Sequence, residues 1–189
     1  MNRLYLFFIF VIAALQGCAA IDPALLVPDT PIAAIDADSA LRGSIAVVEI
    51  DEKKDLDDMG FSRVSNRELA EALRLSLNRV GLLADSEQAA RYRLTALLAD
   101  VALGSVGYDA TGRVLVRYRL SDAAGKIVLD ELVRSTHTVA FTDELIGYFR
   151  GKRTVEGVFR ANIAEFLRLL VRFRPPDTPA HRGRGGAVK

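Results

Sequence analysis

The sequence predicts an α+β fold: a two-layer sandwich in which two helices cover one face of a mainly antiparallel sheet, in the order β-α-β-β-β-α. Three observations lead there. Residues 113–120 alternate, Leu115 excepted, charged and apolar side chains with a period of two, as a strand with one wet and one buried face requires. Two segments, one opening at Ser65 and one stopped by Pro175, repeat apolar residues at helical spacing. Strand-like runs on either side of residues 113–120 complete a sheet with one face left for the helices to cover.

The elements follow in chain order. Residues 44–50, after Gly43, form a short β-branched run that reads as a buried strand. Ser65-Asn66-Arg67-Glu68 is a capping box, with Val64 and Leu69 placed for a hydrophobic staple. Leu69, Ala72, Leu73, Leu77 and Val80 then share one helical face. Gly81 stands where a left-handed cap is needed, and Leu82 can close back on Leu77. Residues 92–103 read as a strand, and Gly104, Gly107 and Gly112 as punctuation of the loop after it. In residues 113–120, Val114, Val116, Tyr118 and Leu120 face one way, and Arg113, Arg117 and Arg119 the other. Residues 122–125 make a hairpin turn into a returning strand over 126–141. The last helix aligns Val155, Val158, Phe159, Ile163, Phe166, Leu167 and Leu170.

Ahead of this body the chain carries different chemistry. Arg3 precedes an almost unbroken apolar run over residues 4–15. A bilayer-spanning helix needs about 20 apolar residues, so this run has the length of a secretory h-region and predicts a signal peptide over 1–17. Leu15-Gln16-Gly17-Cys18 follows, and Cys18 is the only cysteine in the chain. This stretch resembles the lipobox of bacterial lipoproteins. The resemblance implies cleavage between Gly17 and Cys18, a diacylglycerol on the Cys18 thiol and an acyl chain on its new amine. These covalent lipids (palmitate among them) are the only added group expected, with no separate cofactor. Ala19, not Asp, follows the cysteine, which implies sorting to the outer membrane of a Gram-negative cell, with the body facing the periplasm. Several acyl chains anchor stably, at roughly 0.8 kcal/mol per buried CH₂.

Pro23, Pro28 and Pro31 interrupt residues 18–42, which read as a flexible tether able to reach roughly 80 Å at about 3.3 Å per residue. Within it, Leu25, Leu26 and Val27 are apolar enough to dock on the body. Residues 43–174 are the expected periplasmic domain, and 175–189, with three prolines and three glycines, a disordered basic tail.

Cleavage would remove one charged residue, Arg3, leaving 24 basic and 24 acidic side chains. That balance lacks the basic footprint of a nucleic-acid partner. His137 and His181 are the only histidines, they are not at ligand spacing, and no nucleophile stands beside either in a motif, so neither a zinc site nor a triad is expected. Asp51, Glu52, Asp55, Asp57 and Asp58 do not match the calcium-loop spacing and read as a solvated loop. Gly104, Gly107 and Gly112 lack the ending of a phosphate loop. Arg113, Arg117 and Arg119, with Arg134 as neighbour, form the one row suited to phosphate or carboxylate: phospholipid headgroups, lipid A of lipopolysaccharide, or an acidic protein. An ordinary solvated sheet face, balanced by Asp130 and Glu131, explains the same residues.

Taken together, lipobox, tether, strand, capped helix, antiparallel strands and closing helix resemble two groups of small envelope lipoproteins. One is the lipoprotein that assists the lipopolysaccharide translocon, and the other the auxiliary lipoprotein of ABC-type transport systems. Gly81-Leu82-Leu83, Arg91-Tyr92-Arg93-Leu94 and residues 118–125 carry the likeness. It implies a non-catalytic, outer-membrane-anchored accessory or scaffold in envelope assembly or lipid transport, working within an envelope complex. A module that binds lipid or a small ligand directly is the alternative, and it calls for an apolar pocket between sheet and helices.

Overall fold

The structure, a computed structural model, describes residues 21–29, 32, 39–49, 64–104 and 108–175. Gly17, Cys18, the acidic residues 51–58, His181 and the tail beyond Pro175 lie outside the described residues.

Four strands form one open sheet in the order β1-β2-β3-β4: β1 (Ile45–Val48), β2 (Tyr92–Leu103), β3 (Ala110–Asp122) and β4 (Ile127–Val139). β2, β3 and β4 pair antiparallel, whereas β1 runs parallel to β2, with Ile45 opposite Tyr92 and Val48 opposite Thr95. The helix α1 (Asn66–Arg79) supplies the crossover that a parallel pair demands. The long helix α2 (Gly147–Arg172) packs on β3 and β4. The fold is thus the expected α+β sandwich with a mostly antiparallel sheet.

The ends of α1 are built as its sequence predicts. The Ser65 N–H donates to Glu68 Oε2 at 2.8 Å, and the Ser65 hydroxyl accepts from the Arg67 N–H at 3.2 Å. At the other end Gly81 takes a φ of +75°, the Leu82 N–H donates to the Leu77 carbonyl at 2.9 Å and the Gly81 N–H to Asn78 at 3.1 Å. These two bonds are a Schellman cap. In the hairpin, Gly125 (φ +82°) closes on the Asp122 carbonyl at 3.0 Å, and the Asp122 carboxylate accepts from the Ala124 and Lys126 amides, both at 2.9 Å.

The space between the layers is filled. Tyr118 stacks on Phe166 with ring centroids 3.8 Å apart, and both are fully buried with Phe159, Val116, Leu98, Leu73 and Leu77. Tyr118 also donates its phenol to Asn162 Oδ1 at 2.8 Å, while Asn162 Nδ2 donates to the Val133 carbonyl at 2.9 Å and the Ser135 hydroxyl at 3.2 Å. One buried amide therefore ties α2 to β3 and β4 together.

Two expectations need correction. Part of the predicted tether belongs to the body: Ile21, Leu26, Val27 and Leu41 are buried, and a 3-10 turn (Pro23–Leu26), capped by Asp22, lies against both helices. The prolines forbid a regular helix there, but they do not prevent these four apolar side chains from joining the core. Gly112 is not a loop residue. It lies inside β3, where a Cβ would meet Thr154 Cγ2 of α2 at 3.0 Å, so its missing side chain sets how closely the helix approaches the sheet.

Candidate functional site

The outer face of the sheet carries the predicted arginines. Arg113, Arg117 and Arg119 alternate outward along β3, and register places Leu115 beside Arg134, Arg117 beside Leu132 and Arg119 beside Asp130. The row is not one open basic patch. Arg117 donates twice to Asp130, both bonds at 2.8 Å, and Arg119 Nε adds a third at 3.3 Å. These bonds, Arg117's first, hold the Asp130 carboxyl below the usual carboxylate range. Two of the four arginines are thus engaged with one carboxylate. Arg113 and Arg134 remain exposed, with no ion pair among the described residues.

Arg134 stands at the margin of this face, because β4 is an edge strand: none of the described strands pairs with its outer side over its 13 residues. A groove of about 630 Å³ opens between that edge and α2, bounded by Arg134, His137, Arg160, Arg168 and Asp29. Its helical wall is low, since Gly157, Ala161 and Ala164 line it. Arg160 pairs with Asp29 at 3.0 Å, which clasps the N-terminal segment to α2, and Arg168 pairs with Glu165 at 2.9 Å. The floor depends on one close approach. A Cβ on Gly157 would land on the imidazole of His137, and His137 is the register partner of Gly112.

Burial first, and the Arg160 charge second, lower the pKa of His137 below its usual 6.5. A histidine with a depressed folded-state pKa stays neutral in the fold after the unfolded chain has begun to protonate. Its contribution to stability is present above about pH 6.5 and is lost as pH falls through the folded value. Urea midpoints of the wild type should therefore decline on acidification below that pH more steeply than those of His137→Gln. Equal slopes would show that the imidazole has no part in the acid sensitivity.

The sequence pointed to Arg134 as a neighbour of the row, but it carried no sign of Arg160, Asp29 or Gly157. Arg160 and Asp29 are 131 residues apart, and Gly157 sits in an unbroken helix. Their meeting depends on how the N-terminal segment and α2 pack, which no local pattern encodes. No group of three metal-ligating side chains is found among the described residues, and none of their helices is long and apolar enough to cross a membrane.

No family model matches the chain, and no curated protein matches it. Solved structures with a similar course of chain exist. A candidate lipoprotein from Caulobacter crescentus shares 17% identity over 68% of this chain and 88% of its own, with a TM-score of 0.46. A hypothetical protein from Chlamydia trachomatis shares 10% identity over 69% and 98%, with a TM-score of 0.48. A minor lipoprotein from Acinetobacter baumannii shares 12% identity over 69% and 89%, with a TM-score of 0.41.

Proposed function

We propose that this chain is a non-catalytic accessory lipoprotein of the Gram-negative envelope. In this reading acyl chains on Cys18 hold it at the periplasmic face of the outer membrane, and it recruits a partner of an envelope assembly or lipid-transport complex. The anchor rests on Leu15-Gln16-Gly17-Cys18 behind its apolar run and on Ala19 after it. One observation carries the recruiting half: a long edge strand, with no described strand paired on its outer side, borders a groove whose rim bears Arg134 and Arg160 around His137. An extended acidic segment fits that chemistry, adding main-chain hydrogen bonds along the edge and carboxylates against the guanidinium groups. The alternative, lipid held inside the domain, finds less support. Stacked Tyr118 and Phe166 occupy the space between the layers, and the groove lies outside it.

The test is site-specific photo-crosslinking of the full chain in its own envelope, with the crosslinker at Thr136 on β4 and, as control, at exposed Glu87. The expected result is one discrete adduct from position 136 and none from 87. Arg134→Glu combined with Arg160→Glu should lower its yield about tenfold, the effect of losing close charge pairs at an interface. No adduct at 136, or an adduct indifferent to the charge reversals, would overturn the proposal.

A further inference from the structure

Large apolar side chains that stay exposed are concentrated at one place. Phe141, Leu145, Ile146, Tyr148 and Phe149 are between 42% and 68% exposed, all within the β4–α2 connection and the first turn of α2. Tyr108, 84% exposed, belongs to the same end of the sheet, because the neighbouring Asp109 carboxylate accepts from the Phe141 N–H at 3.0 Å. This is a built surface. Arg150, only 2% exposed, places its guanidinium 5.1 Å from the centre of the Phe141 ring and donates to the Glu144 carbonyl. Arg153 pairs with Glu144 at 3.5 Å, and Tyr148 and Phe149 meet edge to face at 5.5 Å. The connection is braced from inside while it turns its apolar side chains outward.

The N-terminal segment gives this tip an occupant. Ile21 is already buried in the core, so three residue steps separate Cys18 from the folded body, a reach of roughly 10 Å when fully extended. A body held on so short a lead by acyl chains stays within contact range of the bilayer. We propose that the apolar tip, Leu145, Ile146, Tyr148 and Phe149, is a second membrane contact that seats at the headgroup–acyl boundary of the leaflet holding the Cys18 lipid. The inference rests on the anchored reading above and specifies the posture of the body on its membrane. Aliphatic and aromatic side chains with a polar surround suit that depth. The charges around the tip are mixed: Asp109, Asp143 and Glu144 against Arg150, Lys152 and Arg153. Seating is therefore driven by apolar area, and it does not require anionic lipid.

The test uses full-length protein purified with its modifications, carrying Ile146→Cys or, as control, Glu87→Cys, each labelled with an environment-sensitive fluorophore. It is reconstituted into phosphatidylcholine vesicles containing a lipid spin-labelled near the headgroup, and intact mass reports the state of Cys18. The expected result is a blue shift at position 146 and loss of its emission to the spin label, as an apolar face at the headgroup–acyl boundary requires. Position 87 should be unchanged, and replacing a third of the lipid with phosphatidylglycerol should alter neither. An unquenched position 146 with Cys18 acylated would overturn the tip and leave the anchor standing. If Cys18 is unmodified, the anchored reading fails, and quenching at 146 would still uphold the tip, whereas its absence would sink both. Shielding of position 146 only after adding envelope proteins would assign the surface to a protein partner and overturn the proposal.

Discussion

Asn162→Ala is expected to lower the stability of the domain by about 2–4 kcal/mol, since buried groups that lose their hydrogen-bond partners cost about 1–3 kcal/mol each. The amide is fully buried and serves three partners on two strands: the Tyr118 phenol, the Val133 carbonyl and the Ser135 hydroxyl. Truncation leaves the first two facing an apolar layer with nothing to replace the amide. Burial pushes the Tyr118 phenol well above its usual pKa of 10.0, so the group must stay protonated and cannot escape the cost by ionising. Tyr118→Phe removes one partner and keeps the ring stacked on Phe166, and it should cost less, about 1–2 kcal/mol. The two changes share one hydrogen bond, so the double variant should lose less than the sum. Urea denaturation of the four proteins measures all of this. A loss for Asn162→Ala within about 0.5 kcal/mol of zero, the range of an ordinary surface substitution, would show that the amide does not fasten α2 to the sheet.

Gly157→Ala is the second large effect, and its sign is the informative part. In a helix interior alanine is favoured over glycine by about 1 kcal/mol, so propensity alone predicts stabilisation. The packing predicts the opposite. The new methyl would occupy the place of the His137 imidazole, on a strand whose other neighbour at that level is Gly112, itself against Thr154. Ring and helix must separate, with a cost of about 1–3 kcal/mol typical of an overpacked contact. In a His137→Ala background the obstacle is gone, and the same substitution should become neutral or stabilising by up to about 1 kcal/mol. Thermal unfolding of the pair and the double variant reads the reversal. Stabilisation by Gly157→Ala in the wild-type background would mean that the close approach is not a constraint.

What the sequence made legible, and what it hid, divides by range. The capping box at Ser65, the Schellman glycine at 81 and the 122–125 turn are contained within a few residues, and each stands as its local chemistry predicts. The alternation over 113–120 likewise settled which side chains face outward, because a strand's period is a local property. It could not show that Arg117 and Arg119 are engaged with Asp130. That pairing depends on the β3–β4 register, which the turn and the shift between Leu120 and Ser121 fix together. The groove was hidden for the same reason. It needs Asp29 brought to Arg160, and although Leu26 and Val27 are legible as side chains able to dock, where they enter the core is set by long-range packing. Gly112 reads locally as loop punctuation and Gly157 carries no local signal, yet packing makes both points where strand and helix come close.

In the proposed reading Cys18 is an attachment point and the body stands on its membrane by a short lead. Intact-mass spectrometry of the protein extracted from envelope membranes addresses it directly. The expected result is a chain beginning at Cys18, lacking residues 1–17, with added mass equal to a diacylglycerol and one further acyl chain; Cys18→Ser should remove that mass and leave the precursor uncut. A chain still beginning at Met1, or one cut elsewhere with Cys18 unmodified, would contradict it.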